Sequence, residues 1–232
     1  MSWWRKWRTR LKVAQLSQQI VRLYQQDRYA QALDLAMQAL ELARANLDEN
    51  DPDTASSLNN LARLYSEMDD YAAAQPLYKR ALTIREEVLG AKHPRTATSL
   101  NNLAGLHRAM GEYAAAQPLY ERALAISEEV LGTKHPATAM SLNNLAVLYQ
   151  ARGDYAAAQP LYERALEIWQ EVLGAKHPDT AKSLDNLGGL YAATISPARA
   201  LSLMQQAAAI RDRLIGQIFA IASDSQRTAY LT

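Results

Sequence analysis

Between Asp53 and Met68, apolar side chains return every three or four residues, at Leu58, Leu61, Ala62 and Tyr65. That spacing predicts an amphipathic helix. A polar turn at Met68-Asp69-Asp70 follows. A second stripe then runs through Tyr71, Ala74, Tyr78, Ala81, Leu82, Ile84, Val88 and Leu89 and predicts a helix over 71–89. Gly90 stops it, and Pro94 stands where a missing N–H is harmless, at the start of the next helix. Strand-type alternation is missing, so the chain reads as all-α.

The whole pattern then returns every 42 residues. Ser57-Leu58-Asn59-Asn60-Leu61-Ala62 recurs at Ser99 and Ser141, Tyr71-Ala72-Ala73-Ala74-Gln75-Pro76-Leu77-Tyr78 at Tyr113 and Tyr155, and His93-Pro94 at His135 and His177. A fixed period of this size means stacked supersecondary units, a solenoid. Five units fit: 11–52, 53–94, 95–136, 137–178 and 179–216. The outer two are degenerate, as terminal units facing water should be. Tyr29, Leu35, Ala39, Leu40, Leu42 and Leu47 keep the register in the first. Leu203, Ala207, Ile210, Ile215 and Gly216 keep it in the last. Residues 1–10 read as a basic, tryptophan-rich extension, and 217–232 as a C-terminal helical cap or a junction. Pro76, Pro118 and Pro160 lie beyond the first turn of each second helix, where proline removes a hydrogen bond. A local bend or a frayed first turn is expected there.

Composition narrows the function classes. A net charge of +1 gives no general reason to expect nucleic acid. The absence of cysteine removes disulfides, thiolate metal sites and cysteine nucleophiles, and fits a cytoplasmic protein. No apolar run approaches the roughly 18–20 residues of a membrane span, and no signal-peptide core is present. There is no phosphate loop, no His-Glu-x-x-His and no nucleophile constellation, so no enzyme and no cofactor are expected. His93, His135 and His177 resemble a metal array, but equivalent turns of stacked helices lie about 10 Å or more apart. Zinc needs its ligands within about 2.1 Å. A turn role is expected for them, and a packing role for His107, which replaces Tyr65, Tyr149 and Tyr191.

Leu-Asn-Asn-Leu-Ala, Tyr-x-x-Ala-x-Pro-Leu-Tyr-x-Arg-Ala-Leu and Leu-Gly-x-Lys-His-Pro closely resemble the 42-residue tetratricopeptide repeats of kinesin light chain and of many bacterial proteins. The resemblance covers about 53–178 strongly and the flanking units weakly. It implies a right-handed superhelical solenoid of about five helix pairs whose first helices line a concave groove for a protein or peptide. Residues 218–231 also faintly resemble the region that joins such repeats to a caspase-like CHAT protease domain. That makes a regulatory arm of a larger effector the alternative to a free-standing scaffold.

By this resemblance the second asparagine of each pair holds ligand backbone: Asn60, Asn102, Asn144 and Asn186, with Asn59, Asn101 and Asn143 as neighbours. Amides suit the role because they donate and accept at once. Asparagines so placed equally suit bonds between adjacent helices that fix the stack. Specificity would sit where the repeats differ, at Arg63, Arg108, Gln150 and Lys182. The groove is then polar and mildly basic at one end, more apolar at the other, and fits a peptide of some acidic character. Self-association through an exposed repeat end is a further option.

The segment Trp3-Trp4-Arg5-Lys6-Trp7-Arg8-Thr9-Arg10 precedes the first acid of the chain, Asp27. Trp3, Trp7, Leu11 and Ala14 share one helical face, which can extend and cap the first helix. Anchoring on an anionic membrane surface is the second, less favoured reading.

Overall fold

The computed structural model describes the backbone of residues 3–194 and 196–229, and side chains as far as residue 216. Among the described residues ten helices follow one another: α1 Trp3–Tyr24, α2 Tyr29–Asn46, α3 Pro52–Glu67, α4 Tyr71–Leu89, α5 Pro94–Ala109, α6 Tyr113–Leu131, α7 Pro136–Ala151, α8 Tyr155–Val172, α9 Pro178–Ala193 and α10 Pro197–Ala229. No strand occurs among the described residues. The chain forms two compact units, Met1–Val130 and Leu131–Thr232. Within each, successive helices pack as antiparallel pairs, the architecture of an all-α helical-repeat solenoid. The segment resembling a protease junction, 218–231, lies outside the residues whose side chains are described.

The first helices α3, α5, α7 and α9 each start on a side-chain cap. His93, His135 and His177 are the N-cap residues of α5, α7 and α9, and their Nδ1 atoms accept from the backbone N–H of Arg95, Ala137 and Asp179 at 3.0–3.2 Å. In the first full repeat Asp51 does the same, accepting from Asp53 N–H at 2.9 Å. The turn role expected for the histidines is therefore a specific one. A second tie lies beneath it: Thr96, Thr138 and Thr180, all buried, donate to the carbonyls of Gly90, Gly132 and Gly174 at 2.8–3.0 Å. Together they lock the Gly-x-Lys-His-Pro turn to the helix that follows. At the turns inside the three central pairs the chain enters the left-handed region, with φ of 77° at Gly111 and 78° at Gly153; Asp69 takes the position at 60° and so carries strain that glycine avoids.

The core is an alanine seam filled by larger residues. In unit 1, Ala55, Ala62, Ala74 and Ala81 are fully buried, which lets helices approach closely, while Leu58, Leu64, Tyr78 and Ile84 fill the space between them. The buried surface of a first helix is wider than one stripe. Leu64, Leu106, Leu148 and Leu190 are at most 1% exposed although the amphipathic reading passed over them, because a first helix in a stack touches its own partner and neighbours on both sides. Val88 departs the other way. It lies on the apolar stripe yet is 48% exposed.

The prolines do not fray the second helices. In α4 the Asp70 side chain caps Ala73 N–H at 3.0 Å and its carbonyl accepts from Ala74 at 3.0 Å. Asp154 repeats both bonds in α8, at 3.1 Å each. The only carbonyls that Pro76, Pro118 and Pro160 deprive of a helical partner belong to Ala72, Ala114 and Ala156, which are exposed and open to water.

Replacing His135 by alanine is expected to lower unfolding free energy by about 1 kcal/mol. His135→Asp should preserve it, since Asp51 fills this position in the chain itself. Chemical denaturation checks both; equal losses for the two variants would refute the capping role.

Candidate functional site

First helices touch one another directly: α1 with α3 and α3 with α5 in unit 1, and α7 with α9 in unit 2. They make the face on which the asparagine pairs sit, and the two members of a pair have different positions. Asn59, Asn101 and Asn143 are buried, 5–8% exposed, below the surface rather than on it. Asn60, Asn102, Asn144 and Asn186 are half-buried.

The members are wired between repeats. Asn102 Nδ2 donates to Asn59 Oδ1 at 2.9 Å, and Asn186 Nδ2 donates to Asn143 Oδ1 at 2.8 Å, each across 43 positions. In the degenerate first repeat Ser17 holds the acceptor position, and Asn60 Nδ2 reaches its Oγ at 3.3 Å. The helix-to-helix role open in the sequence is thus present, and it engages one amide group of each residue while leaving the surface amide's Oδ1 for other partners.

Other candidates turn toward buried tyrosines. Tyr162 OH donates to Gln150 Oε1 at 2.7 Å. Arg108 bonds the hydroxyl of Tyr120, whose pKa is pushed up by burial and drawn back by that guanidinium. A Cβ at Gly105 would lie 3.4 Å from Tyr120 Oη, an ordinary contact. Arg63 is half-buried with its guanidinium 4.3 Å from the centre of the Tyr24 ring, a cation–π contact, and its Nε and Nη2 are buried without a hydrogen-bond partner. Lys182 is exposed on α9. His107 is 9% exposed, as a packing residue should be, and its Nδ1 lies 2.6 Å from Glu112 Oε2.

Two features escaped sequence reading. A hollow of about 420 Å³ opens on the first-helix face of unit 1, lined by Ser17, Gln18, Val21, Arg22 and Asn60. The degenerate first repeat hid it, because α1 lacks the Leu-Asn-Asn-Leu-Ala signature. The second is Arg85, which is 5% exposed with no carboxylate partner. It donates to the Arg95 carbonyl at 2.9 Å and to Ser99 Oγ at 2.8 Å, and burial lowers its pKa to about 10. Only its replacement by Ser127 and Trp169 at the equivalent positions marks it in the sequence. Among the described residues no cluster of three or more histidines, aspartates or glutamates is placed to hold a metal ion. No described helix is long and apolar enough to cross a membrane.

Stacked helix pairs with a polar face of first helices define a helical-repeat interaction scaffold. The tetratricopeptide repeat pattern matches residues 20–87, 68–129, 95–168 and 138–213, and the chain belongs to that family. Its structure is similar to that of BtubC (BKLC) from P. vanneervenii, with 29% identity, a TM-score of 0.72, and coverage of 90% of this chain and 83% of that one. It is also similar to a kinesin-light-chain-like protein of Podosopora anserina built of nearly identical TPR-like repeats. There the identity is 27%, the TM-score 0.66, and coverage 87% of this chain and 96% of that one. A Rap protein in complex with competence and sporulation factor matches in fold alone, at 17% identity and a TM-score of 0.75, over 88% of this chain and 56% of that one. No curated protein sequence matches. The tetratricopeptide fold is typically a non-catalytic scaffold for protein partners.

Two outcomes follow from the wiring. Asn143→Ala and Asn186→Ala should each lower unfolding free energy by about 1 kcal/mol, and the double variant by little more than either; additive losses would mean that the two amides act independently. The second concerns Tyr24, whose hydroxyl donates to Glu67 Oε1 at 2.5 Å. Burial first, then Glu67, raise its pKa to about 12 from 10.0. The folded chain then keeps a proton that the unfolded chain releases. Stability from this group is complete below pH 10 and falls as the pH rises toward 12. The gap in denaturation midpoint between wild type and Tyr24→Phe should therefore narrow over that window; a constant gap would refute the linkage.

Proposed function

We propose that this chain is a non-enzymatic scaffold whose first-helix face receives an extended or helical peptide of some acidic character. The observation that carries the reading is the hollow beside Asn60, where an amide, a small apolar patch at Val21 and the cation of Arg22 meet. Asn60 is only weakly engaged by Ser17, so its amide is the one best placed to turn to a ligand backbone. Arg22 makes no ion pair among the described residues and would attract an acidic side chain. Val21 is 39% exposed and would bury against an apolar one. A helical stack that is ordered beforehand lowers the ordering cost of binding.

The test is a peptide-display selection on the full chain, counter-selected against Val21→Glu/Arg22→Glu. Both positions are exposed, so the variant should keep its helical circular dichroism. An enriched acidic motif whose affinity drops at least about tenfold on the folded variant is expected, because two central contacts are lost. No enrichment, or a motif indifferent to the variant, would overturn the proposal. Asn102 is a poor probe here, since its replacement also breaks the bond to Asn59.

A further inference from the structure

The face of α1 that packs against the repeats is not the tryptophan face. Thr9, Val13 and Ile20 are the buried residues of this helix. Trp3, Trp4, Trp7 and Leu11 point outward at 68%, 63%, 46% and 49% exposure. The expectation that tryptophans cap the first helix by packing is met only in that the helix does extend to Trp3. It is held there by polar ties instead: Arg5 Nε to Asn46 Oδ1 at 2.8 Å, Lys6 to Asp48 at 2.9 Å, and Arg10 to Asp51 at 2.9 Å and Asp53 at 3.4 Å. The indoles stack edge-to-face on one another, Trp3 on Trp4 at 5.0 Å and Trp4 on Trp7 at 6.0 Å.

Beside them lies a cleft of about 400 Å³ between α1 and α2, lined by Trp4, Arg5, Arg8, Thr9, Lys12, Leu42 and Asn46. Three cations and no acid line it. Arg8 and Lys12 make no ion pair or hydrogen bond among the described residues. Asp48, Asp51 and Asp53, which reach the N-terminal half of this helix, are already taken by Lys6 and Arg10. No acid precedes Asp27, against six lysines and arginines.

We infer that this end of the chain docks on a bilayer surface carrying anionic phospholipid, with the indoles and Leu11 in the interfacial zone and Arg5, Arg8 and Lys12 around a lipid phosphate. Indoles settle at the headgroup level because one edge is polar and the body apolar. Cations near an anionic leaflet are attracted to it strongly enough for a few to decide partitioning. A protein partner would have to supply a shaped pocket for three indoles crowded on a convex helix flank. A fluid interface adapts to them and brings phosphates within reach of the cleft. This surface is separate from the hollow at Asn60, so the peptide proposal and this one fail independently.

The experiment is sedimentation of the full chain with vesicles of phosphatidylcholine alone or mixed with phosphatidylglycerol, read together with tryptophan emission. Trp169 is buried in unit 2 and gives a constant background, so a shift reports Trp3, Trp4 and Trp7. Binding to the anionic vesicles with a blue shift, weakened by salt, is expected. Arg8→Gln/Lys12→Gln should reduce partitioning about 25-fold, at roughly fivefold per cation. Trp3→Ala/Trp7→Ala should lose both the binding and the shift. None of these four side chains is buried, so the variants should keep their helical spectrum. Absence of binding, or binding that is equal on neutral vesicles and unchanged in the Gln variant, would overturn the inference. Capture by polyglutamate without any vesicle binding would also overturn it, and would assign the surface to an acidic protein.

Discussion

Everything in this structure depends on the close approach of helices that alanine permits. Ala62, Ala104 and Ala146 on the first helices and Ala74, Ala116 and Ala158 on the second are all fully buried. A larger side chain at any of them would push a helix away from its partner. The tyrosines at 78, 120 and 162, which fill the space beside the seam, would then lose contact on one side. At the last pair the seam narrows further. Gly188 replaces alanine, and a Cβ there would stand 3.0 Å from Met204 Cγ and 3.4 Å from the Ala200 carbonyl. An alanine there would require Met204 to give way by a few tenths of an ångström.

Apolar contact sets distance but poorly sets register, because a leucine slipped by one turn still finds grease. Directional bonds do that work here. Asparagine bonds join the surface amide of one first helix to the buried amide of the preceding one, Asn102 to Asn59 and Asn186 to Asn143, and the threonine and histidine ties fix where α5, α7 and α9 begin. Exposed pairs between successive repeats, Lys92 with Glu129 and Lys134 with Glu171, repeat the same offset, yet in open solvent such pairs add little. The buried amide bonds are the more costly to break, since a lone amide under the surface has no water to replace its partner.

The same bonds limit what the first-helix face offers to a ligand. A repeat protein built of near-identical units would present near-identical groups at each step, and the chain breaks that uniformity at a few positions. Arg63 lies over Tyr24, Arg108 and Gln150 turn to different tyrosines, and Arg22 and Val21 border the hollow beside Asn60. Side chains drawn inward to satisfy buried hydroxyls are no longer fully free for a partner. Arg22, which makes no ion pair among the described residues, remains free for one.

The sequence by itself determined the helices, their pairing and their turns. Period, glycine and proline are local signals, and each unit needs only its own residues to declare them. The family was legible for the same reason, in Leu-Asn-Asn-Leu-Ala and Gly-x-Lys-His-Pro. Which asparagine is buried and which surfaces was not legible, because adjacent residues on a helix differ by a rotation whose meaning depends on where the neighbouring helix sits. Leu64 and Val88 were misjudged on the same ground: one stripe describes a helix with one neighbour, and the burial of each position depends on which other helices reach it. Only the tertiary structure decided that the tryptophans face outward. Arg5, Lys6 and Arg10 find partners in Asn46, Asp48, Asp51 and Asp53, some forty residues away, and those long-range ion pairs and hydrogen bonds fix the rotation of α1 about its own axis.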